Sequence, residues 1–236
     1  MKKGTIKRLL PEGLRNERTY QFLQRVRNPI WMGNLRRKVP VTRFGWQRGT
    51  PIDRYYIEEF LEKHRADIAG RVLEVRDSGY TRRFGQPGLQ SDVLDINPQN
   101  PAATIIADLS AADRIPSDTF DCFILTQTLQ YIYDVNGAVR HAHRMLKPGG
   151  VLLATVPSVQ VADNVTPDLW RLTALGCKEL FGRYFGVENV EVEPRGNALA
   201  AIAFLSGLGS EEFKAVELAL RAPDYAVVVC VRARKA

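Results

Sequence analysis

The sequence has no apolar run that approaches the roughly 20 residues a helix needs to cross a bilayer. It has only three cysteines, Cys122, Cys177 and Cys230, which are scattered along the chain. Such cysteines are typical of buried thiols in a reducing compartment rather than of disulfides or a metal site. No His, Asp or Glu cluster has the spacing of metal ligands, so we expect no metal. These absences predict a cytoplasmic protein, with peripheral contact to the inner face of a membrane as an option.

Positive charge is concentrated at the N-terminal end of the chain. Residues 1–48 hold 13 Lys and Arg against Glu12 and Glu17, whereas the rest has more acidic than basic residues. A short helix is predicted at Asn16–Arg27. We therefore predict a basic, partly helical extension over 1–48 and one domain over 49–236. The extension suits an anionic membrane surface, the pyrophosphate of a nucleotide- or lipid-linked sugar, or an acidic partner, or packs as a helix on the domain. Nucleic acid is disfavoured because few aromatics alternate with the charges.

The region from Asp118 to Pro157 has the pattern of a strand, a loop, a helix and a second strand. We place the strand at Phe120–Thr126, the loop at Gln127–Asp134, the helix at Asn136–Leu146 and the second strand at Val151–Val156. The Lys-Pro-Gly-Gly between helix and strand stops the helix, because Pro cannot continue it and Gly permits a left-handed exit. Short apolar strands in this order predict a parallel sheet buried on both faces, which binds ligands beyond the carboxyl ends of its strands.

The predicted strands carry polar residues at or near their carboxyl ends. Glu74 lies in Arg71–Val75, Asp95 lies in Asp92–Ile96, and Asp108 follows Thr104–Ala107; the fourth strand leads into Thr126 and Gln127. In doubly wound sheets, an acid at the end of the second strand hydrogen-bonds ribose hydroxyls. A single such acid is more often a turn former or helix cap. Acids at three successive strand ends favour a nucleotide site.

The remaining segments are predicted from their periodicity. A helix at 57–68 follows Thr50 or Asp53 as its N-cap, VENVEVEP forms a sixth strand, and Tyr225–Val231 forms the last one. Two further helices are predicted at NALAAIAFLSGL and EEFKAVELAL. The three histidines, His64, His141 and His143, are expected on helix surfaces, so no catalytic base is assigned.

The segments FDCFILTQTLQYIYD and LKPGGVLLATVP, supported by VLEV, VLDI and ADL, resemble class I S-adenosylmethionine (SAM)-dependent methyltransferases. The resemblance is to the methyltransferase type 11-like bacterial group found beside sugar-modifying enzymes, and it covers about the last four-fifths of the chain. It implies an α/β fold with a Rossmann-like, doubly wound, seven-stranded sheet that is mostly parallel with an antiparallel last strand. It also implies S-adenosyl-L-methionine as cofactor and S-adenosylhomocysteine (SAH) as product.

The resemblance assigns roles to the residues at the strand ends. Asp95 takes the ribose, Asp108 faces the adenine amino group with Leu109 beside the ring, and Glu74 supports the methionine end. The predicted cofactor site comprises Glu74, Arg76, Gly79, Asp95, Ile96, Asp108, Leu109, Thr126 and Gln127.

One family motif departs from its pattern. After the first strand the family has acid-x-Gly-x-Gly-x-Gly, but here Arg76, Ser78 and Tyr80 stand at the glycine positions and Gly79 is out of step. Either the loop is remodelled, with Gly79 supplying the turn and Arg76 meeting the methionine carboxylate, or Arg76 and Tyr80 fill the pocket and SAM does not bind. We expect binding to be retained.

Acceptor contacts are predicted in three segments. Residues 48–56 are rich in groups that suit contacts with the acceptor or with the methionine end of the cofactor, and related enzymes often fold this region across the cofactor as a lid. A capped helix with a charged surface is the plainer interpretation. The loop 127–134 and the segment 163–173 should overhang the methyl group. Within that segment, Trp-Arg-Leu-Thr at 170–173 resembles a Trp-Arg-aromatic-Thr sequence of sugar-associated methyltransferases. The predicted acceptor residues are Arg48, Asp53, Arg54, Tyr55, Tyr131, Asp134, Trp170 and Arg171.

The resulting functional hypothesis is a SAM-dependent methyltransferase that O-methylates a sugar, a glycolipid precursor or another small polar acceptor by in-line transfer. The alternative is a catalytically inactive, methyltransferase-like binding module that docks to a membrane or a glycan-assembly partner through its basic N-terminal arm. RNA methylation is a third hypothesis, and it requires binding that depends steeply on salt and on residues 1–48.

Overall fold

The computed structural model describes residues 40–162 and 167–236. The predicted helix Asn16–Arg27 and most of the predicted 1–48 extension lie outside these residues. Residues 40–236 form one compact unit. The predicted boundary between residues 48 and 49 stays a prediction. In the part of the chain that the structure describes, no helix is both long and apolar enough to cross a membrane.

One sheet of seven strands organises the described residues. Its order is β3-β2-β1-β4-β5-β7-β6; β1 to β5 are parallel, and β7 is antiparallel to both of its neighbours. This confirms the predicted sheet. The strands are β1 (Arg71–Val75), β2 (Gln90–Asp95), β3 (Ile105–Ile106), β4 (Phe120–Thr126), β5 (Leu146–Pro157), β6 (Val190–Arg195) and β7 (Val228–Arg234).

Helices cover both faces of the sheet. The α-helices are α1 (Ile52–Lys63), α2 (Gly79–Phe84), α3 (Val135–Met145), α4 (Ala174–Phe185), α5 (Ala198–Leu205) and α6 (Ala215–Ala219). Short 3₁₀ turns lie at Arg65–Asp67, Leu109–Ala111, Leu129–Tyr131, Val187–Asn189, Ser210–Glu212 and Pro223–Tyr225. One core cluster joins the sheet to α3 and α4, and the other joins it to α1, α2, α5 and α6.

The middle of strand β4, residues 122–125, is continuously apolar because it is buried on both faces of the sheet. Phe123 and Leu125 pack into the core on the α3 side, whereas Cys122 and Ile124 pack into the core on the α1 side. A strand buried on both faces has no polar alternation, as the parallel sheet requires. The strand therefore ends at Thr126, where the chain leaves the sheet and its side chains become partly exposed.

The junction between α3 and β5 differs in detail from the prediction. Helix α3 ends at Met145, and β5 begins at once with Leu146 instead of at Val151. Phe120 of β4 pairs with Leu146 and Cys122 pairs with Val151, so the residues between them form an irregularity within the strand. Gly149 has the predicted positive φ, +79°. Pro148 and the two glycines suggested a turn between helix and strand, but Leu146 before them and Val151 after them both pair with β4.

The last strand and the start of α1 also correct the prediction. The last strand begins at Val228 and not at Tyr225, because Pro223–Tyr225 form a 3₁₀ turn and antiparallel pairing with β5 sets the strand bounds. Neither Thr50 nor Asp53 caps α1: the residue before the helix is Pro51, and no side chain caps it. Asp53 lies in the first turn, where burial raises its pKa.

The prediction of surface histidines was wrong for His141, which is fully buried in α3. Its Nδ1 accepts a hydrogen bond from Nε of Arg144 at 3.3 Å. Burial and the charge of Arg140 lower the pKa of His141. His143 is half-buried with its ring 4.8 Å from the ring of Phe185, and only 11% of the His64 side chain is exposed. Helical periodicity identified one buried face of α3, but this helix also packs on the 3₁₀ turn that follows β3.

Candidate functional site

A cavity of about 1050 Å³ opens at the carboxyl ends of β1, β2 and β4. All nine residues of the predicted cofactor site line it. Sequence analysis placed these residues together because the carboxyl ends of parallel strands meet at one edge of a sheet. Their contact with a cofactor stays a prediction.

The structure places two of the eight predicted acceptor residues at the cavity and six elsewhere. Arg54 and Tyr131 line the cavity. The residues that do not line it are Arg48, Asp53, Tyr55, Asp134, Trp170 and Arg171.

Most of these outlying residues have structural partners. Arg48 donates from Nε to Oε1 of Glu212 at 2.8 Å, and Asp134 caps α3 by accepting from the backbone N–H of Gly137 at 2.9 Å. Arg171 is paired with Asp168 through two hydrogen bonds of 2.5 and 2.6 Å. Trp170 and Tyr55 bring no polar group to the cavity: the indole N–H of Trp170 donates to the carbonyl of Ile132, and the Tyr55 ring packs edge-on to Tyr56.

Two acids follow β2 and β3 on the cavity wall. Asp95 accepts from the backbone N–H of Asn97 at 2.9 Å and from Nδ2 of Asn100 at 2.5 Å. Asp108 accepts from the N–H and hydroxyl of Ser110 with one oxygen, at 2.8 and 2.7 Å. These bonds hold both carboxylates in fixed positions at the cavity surface.

Two apolar side chains lie beside these acids. Ile96 is 67% exposed although it lines the cavity, and Leu109 is almost fully buried. An exposed aliphatic side chain in a concave site loses water-accessible surface when a flat apolar group covers it. Carboxylates next to aliphatic side chains therefore suit a nucleoside, with hydroxyl donors on one part and a ring face on the other.

The loop after β1 takes its turn at Arg76. Arg76 has φ +75°, in the left-handed region, whereas Gly79 has no positive φ and is the first residue of α2. The prediction that Gly79 supplies the turn was therefore wrong. The Arg76 N–H donates to the carbonyl of Leu94 at 2.9 Å, and its carbonyl accepts from Nδ2 of Asn100 at 2.6 Å. Two contacts with the β2 region thus hold a backbone conformation that usually favours glycine.

Glu74 fastens this loop to the sheet. Its side chain is buried, and its two oxygens accept the backbone N–H groups of Tyr80 and Thr81 at 3.0 and 2.8 Å. Burial raises the pKa of Glu74, and the hydrogen bonds from Thr81 and Tyr80 oppose that rise. The carboxylate therefore holds the start of α2 against the end of β1.

Tyr80 and Arg54 form part of the cavity wall and leave the cavity open. Nη1 of Arg54 donates to the hydroxyl of Tyr80 at 3.0 Å. Burial would lower the pKa of Arg54, but the charge of Asp53 and the contact with Tyr80 outweigh it, so that the pKa is raised. The side chain of Arg76 is exposed to solvent. A charged guanidinium in a partly buried wall is suited to a carboxylate.

Gln127 brings a polar atom without a partner to the same wall. Its backbone has φ +47°, and its N–H donates to the carbonyl of Thr155 at 2.9 Å. The side-chain Nε2 is buried and makes no hydrogen bond with any described residue. A buried amide N–H without an acceptor is costly, so a ligand oxygen at this point would be stabilised.

Sequence reasoning missed several residues of the cavity wall. Trp46, Glu58 and Arg83 line the cavity, and Nη1 of Arg83 lies 2.6 Å from Oε1 of Glu58. A partial signal existed for Glu58, which is one helical turn beyond Arg54 and so shares its face of α1. For Trp46, in an irregular segment, the sequence has no comparable signal.

The left-handed conformation at Arg76 makes a testable prediction. Replacing it with glycine should leave the free energy of unfolding within about 1 kcal/mol of wild type, because relief of backbone strain offsets the greater freedom of the unfolded chain. Valine should cost about 1–2 kcal/mol, because a β-branched residue fits this region poorly. Urea unfolding of both variants checks this. Equal midpoints for the two variants would show that the backbone at residue 76 is unstrained.

Comparison with known proteins gives a family match over part of the chain and a shared fold. The family described as a methyltransferase domain matches residues 82–154, just under a third of the chain. The match runs from α2 into β5 and begins after the loop that carries Arg76. No curated protein matches the chain in sequence.

Solved structures share the architecture at low identity. A SAM-dependent methyltransferase from Archaeoglobus fulgidus is 11% identical with a TM-score of 0.52, over 77% of this chain and 94% of that one. Another from Mesorhizobium loti is 19% identical with a TM-score of 0.50, over 75% and 96%. The [4+2]-cyclase SpnF is 13% identical with a TM-score of 0.52, over 92% and 94%. The chain thus has the fold of SAM-dependent methyltransferases, and the cyclase shows that this fold does not by itself determine the reaction.

Proposed function

We propose that this protein is a SAM-dependent methyltransferase that transfers a methyl group to an oxygen of a sugar, a glycolipid precursor or another small polar acceptor. The observation that carries the proposal is the convergence of all nine predicted cofactor residues on one cavity at the carboxyl edge of the sheet. The family match and the fold support S-adenosyl-L-methionine as the cofactor. The sugar acceptor rests on the sequence resemblance.

The residues present fit the chemistry of SAM. Asp95 and Asp108 supply acceptors for the ribose hydroxyls and the adenine amino group, beside the aliphatic surface of Ile96 and Leu109. Arg54 supplies a cation for the methionine carboxylate from the partly buried wall, and Arg76 also lines the cavity. The unpartnered Nε2 of Gln127 supplies a donor for an oxygen.

The cofactor would supply a methyl group on a sulfonium centre, which an oxygen nucleophile attacks in line. The protein's part is to hold the two reactants in contact and to exclude water, which accounts for most of the rate gain in such displacements. The cavity, at about 1050 Å³, is as large as the upper end of the ~300–1,000 Å³ range for ligand sites. That volume suits a cofactor together with a small acceptor.

Loss of the Asp95 carboxylate should weaken SAH binding about tenfold, which corresponds to about 1.4 kcal/mol. The ribose hydroxyls would lose an ionised acceptor in a semi-enclosed site. Isothermal calorimetry on wild type and Asp95→Ala measures the change. Asp224→Ala removes an exposed carboxylate outside the cavity and should bind SAH as the wild type does. Wild-type protein that does not bind SAH would refute the proposed function.

Turnover distinguishes the proposed enzyme from its alternatives. Release of SAH from SAM in the presence of a polar acceptor supports the methyltransferase. SAH binding without turnover on any acceptor favours the binding module, with residues 1–48 as the segment that contacts a membrane or an acidic partner. RNA-dependent turnover that falls steeply with salt and is lost without residues 1–48 favours RNA methylation.

A further inference from the structure

Four residues on α1, α2 and the segment before α1 line the cavity but take no part in the proposed cofactor contacts. They are Trp46, Thr50, Glu58 and Arg83. We infer that this group of residues, which we call the Trp46 wall, is an acceptor subsite that holds a pyranose ring against the Trp46 indole. The inference rests on the proposed function, because it assigns to the acceptor the part of the cavity that the cofactor leaves free.

The Trp46 indole is presented by an anchored segment. Thr42 donates from its hydroxyl to the carbonyl of Gly207 at 2.7 Å, and Phe44 packs against the core on the α1 side. Between Phe44 and Trp46, Gly45 has φ +94°, and a Cβ there would lie 2.6 Å from the Leu208 carbonyl oxygen. After this turn Trp46 is 61% exposed and lines the cavity, whereas Phe44 before it packs on the core.

The polar part of the Trp46 wall is held by contacts between two helices. Arg54 and Glu58 lie one turn apart on α1 and contact Tyr80 and Arg83 of α2, respectively. The Arg83 guanidinium also lies 5.0 Å from the centroid of the Phe84 ring. The ion pair uses one oxygen of Glu58 and one nitrogen of Arg83, which leaves an acceptor and several N–H donors for a ligand.

This combination of groups selects a polyhydroxylated ring over a planar aromatic one. One face of a pyranose presents C–H groups that pack on an indole, while its edge presents hydroxyls that pair with a carboxylate and a guanidinium. A planar aromatic ligand would bury its second face most favourably against another apolar wall. The groups that share this wall with Trp46 are Thr50, Glu58 and Arg83, and burying them against an apolar ring would cost their hydration.

Saturation-transfer difference NMR on the full chain tests the subsite. The probe is methyl α-D-glucopyranoside, measured with saturating SAH, and catechol is the planar aromatic comparison. Transfer to the glucoside ring protons is expected, and Trp46→Ala should reduce it about fivefold or more by removing the stacking surface. Trp46→Phe should retain part of the signal. Tyr225→Ala removes an exposed aromatic outside the cavity and should leave it unchanged.

The second variant is Glu58→Gln, which keeps the side-chain size but removes the charge, and should also reduce the glucoside signal. Calorimetry on the same samples should find SAH affinities within about twofold of each other, because neither residue belongs to the proposed cofactor contacts. A glucoside signal insensitive to Trp46→Ala, no glucoside signal, or transfer to catechol in its place would each overturn the inference. If SAH does not bind, the proposed function fails, and the glucoside series measured without SAH decides the subsite independently.

Discussion

Replacing Glu74 with alanine should lower the free energy of unfolding by about 3 kcal/mol and the melting temperature by roughly 6–12 °C. The substitution leaves the N–H groups of Tyr80 and Thr81 without their acceptor at a buried position. Two charge-assisted hydrogen bonds contribute about 1.5–3 kcal/mol each, but burying the carboxylate offsets part of that sum. The raised pKa of Glu74, caused by its burial, is the sign of this cost.

The same substitution should weaken SAH binding at least about tenfold. Asp77 and Gly79 line the cavity, and Glu74 ties the start of α2 to the sheet. Thermal unfolding and calorimetry measure the two effects. Because an amide has a single acceptor oxygen, Glu74→Gln should lose about half as much stability as Glu74→Ala.

A matched control is Glu191→Ala, which removes an exposed carboxylate that pairs with Arg232 on the rim of the sheet. It should change stability by no more than about 0.5 kcal/mol. If Glu74→Ala and Glu191→Ala have the same melting temperature, the Glu74 carboxylate does not hold the loop after β1.

Replacing Arg195 with methionine should lower the free energy of unfolding by about 3 kcal/mol at pH 7, near the lower end for breaking a buried ion pair. Arg195 is 3% exposed, with Nη1 3.1 Å from Glu59 and Nη2 2.6 Å from Glu193. Methionine fills a similar volume but leaves two carboxylates without this cation. The loss is limited because Glu59 keeps Arg221 and Glu193 keeps Lys63 as partners.

The effect of Arg195→Met on the free energy of unfolding should depend on pH through the pKa of Glu193. Burial raises the pKa of Glu193, but hydrogen bonds from Lys63 and Arg195 outweigh it and lower the pKa to about 2, from an ordinary 4.5. A carboxyl whose pKa is lower in the folded state stabilises the protein above its unfolded pKa and loses that contribution as pH falls. The stability difference between wild type and Arg195→Met should therefore shrink as pH falls from 4.5 towards 2.

Urea unfolding of wild type and Arg195→Met at pH 7, 4.5 and 3 measures that difference. The double variant Arg195→Met with Glu193→Gln should recover part of the loss at pH 7, because it removes one of the unpaired charges. A difference that stays constant across this pH range would show that Arg195 acts through packing alone.

Sequence periodicity was sufficient to predict the positions of most strands of the sheet. Strand β4 was predicted with its observed bounds because a strand buried on both faces is a short apolar run between turn signals. The last strand was misplaced by three residues at its start, since an apolar run that is buried on both faces contains no mark of where pairing begins. The pairing with β5 and β6, which begins at Val228 on both sides, sets those bounds.

The candidate site was predictable to the extent that it depends on strand ends. Asp95 and Asp108 line the cavity because the topology brings any residue at those positions to the same edge. The conformation of Arg76 was not predictable, since its residue type disfavours a positive φ and the contacts that hold it come from Leu94 and Asn100. Some predicted acceptor residues instead contact other residues of the protein; Arg171, for example, pairs with Asp168.

The succession of strands and helices along the chain and the residue types at the strand ends were predictable from the sequence, because hydrophobic period and turn residues are local properties. The tertiary structure decided which helix side chains face the cavity. The contacts of Arg54 with Tyr80 and of Glu58 with Arg83 join residues more than twenty positions apart. Their formation depends on how α1 and α2 pack on the sheet, and helix packing is set by the shapes of both surfaces together, which neither segment contains by itself.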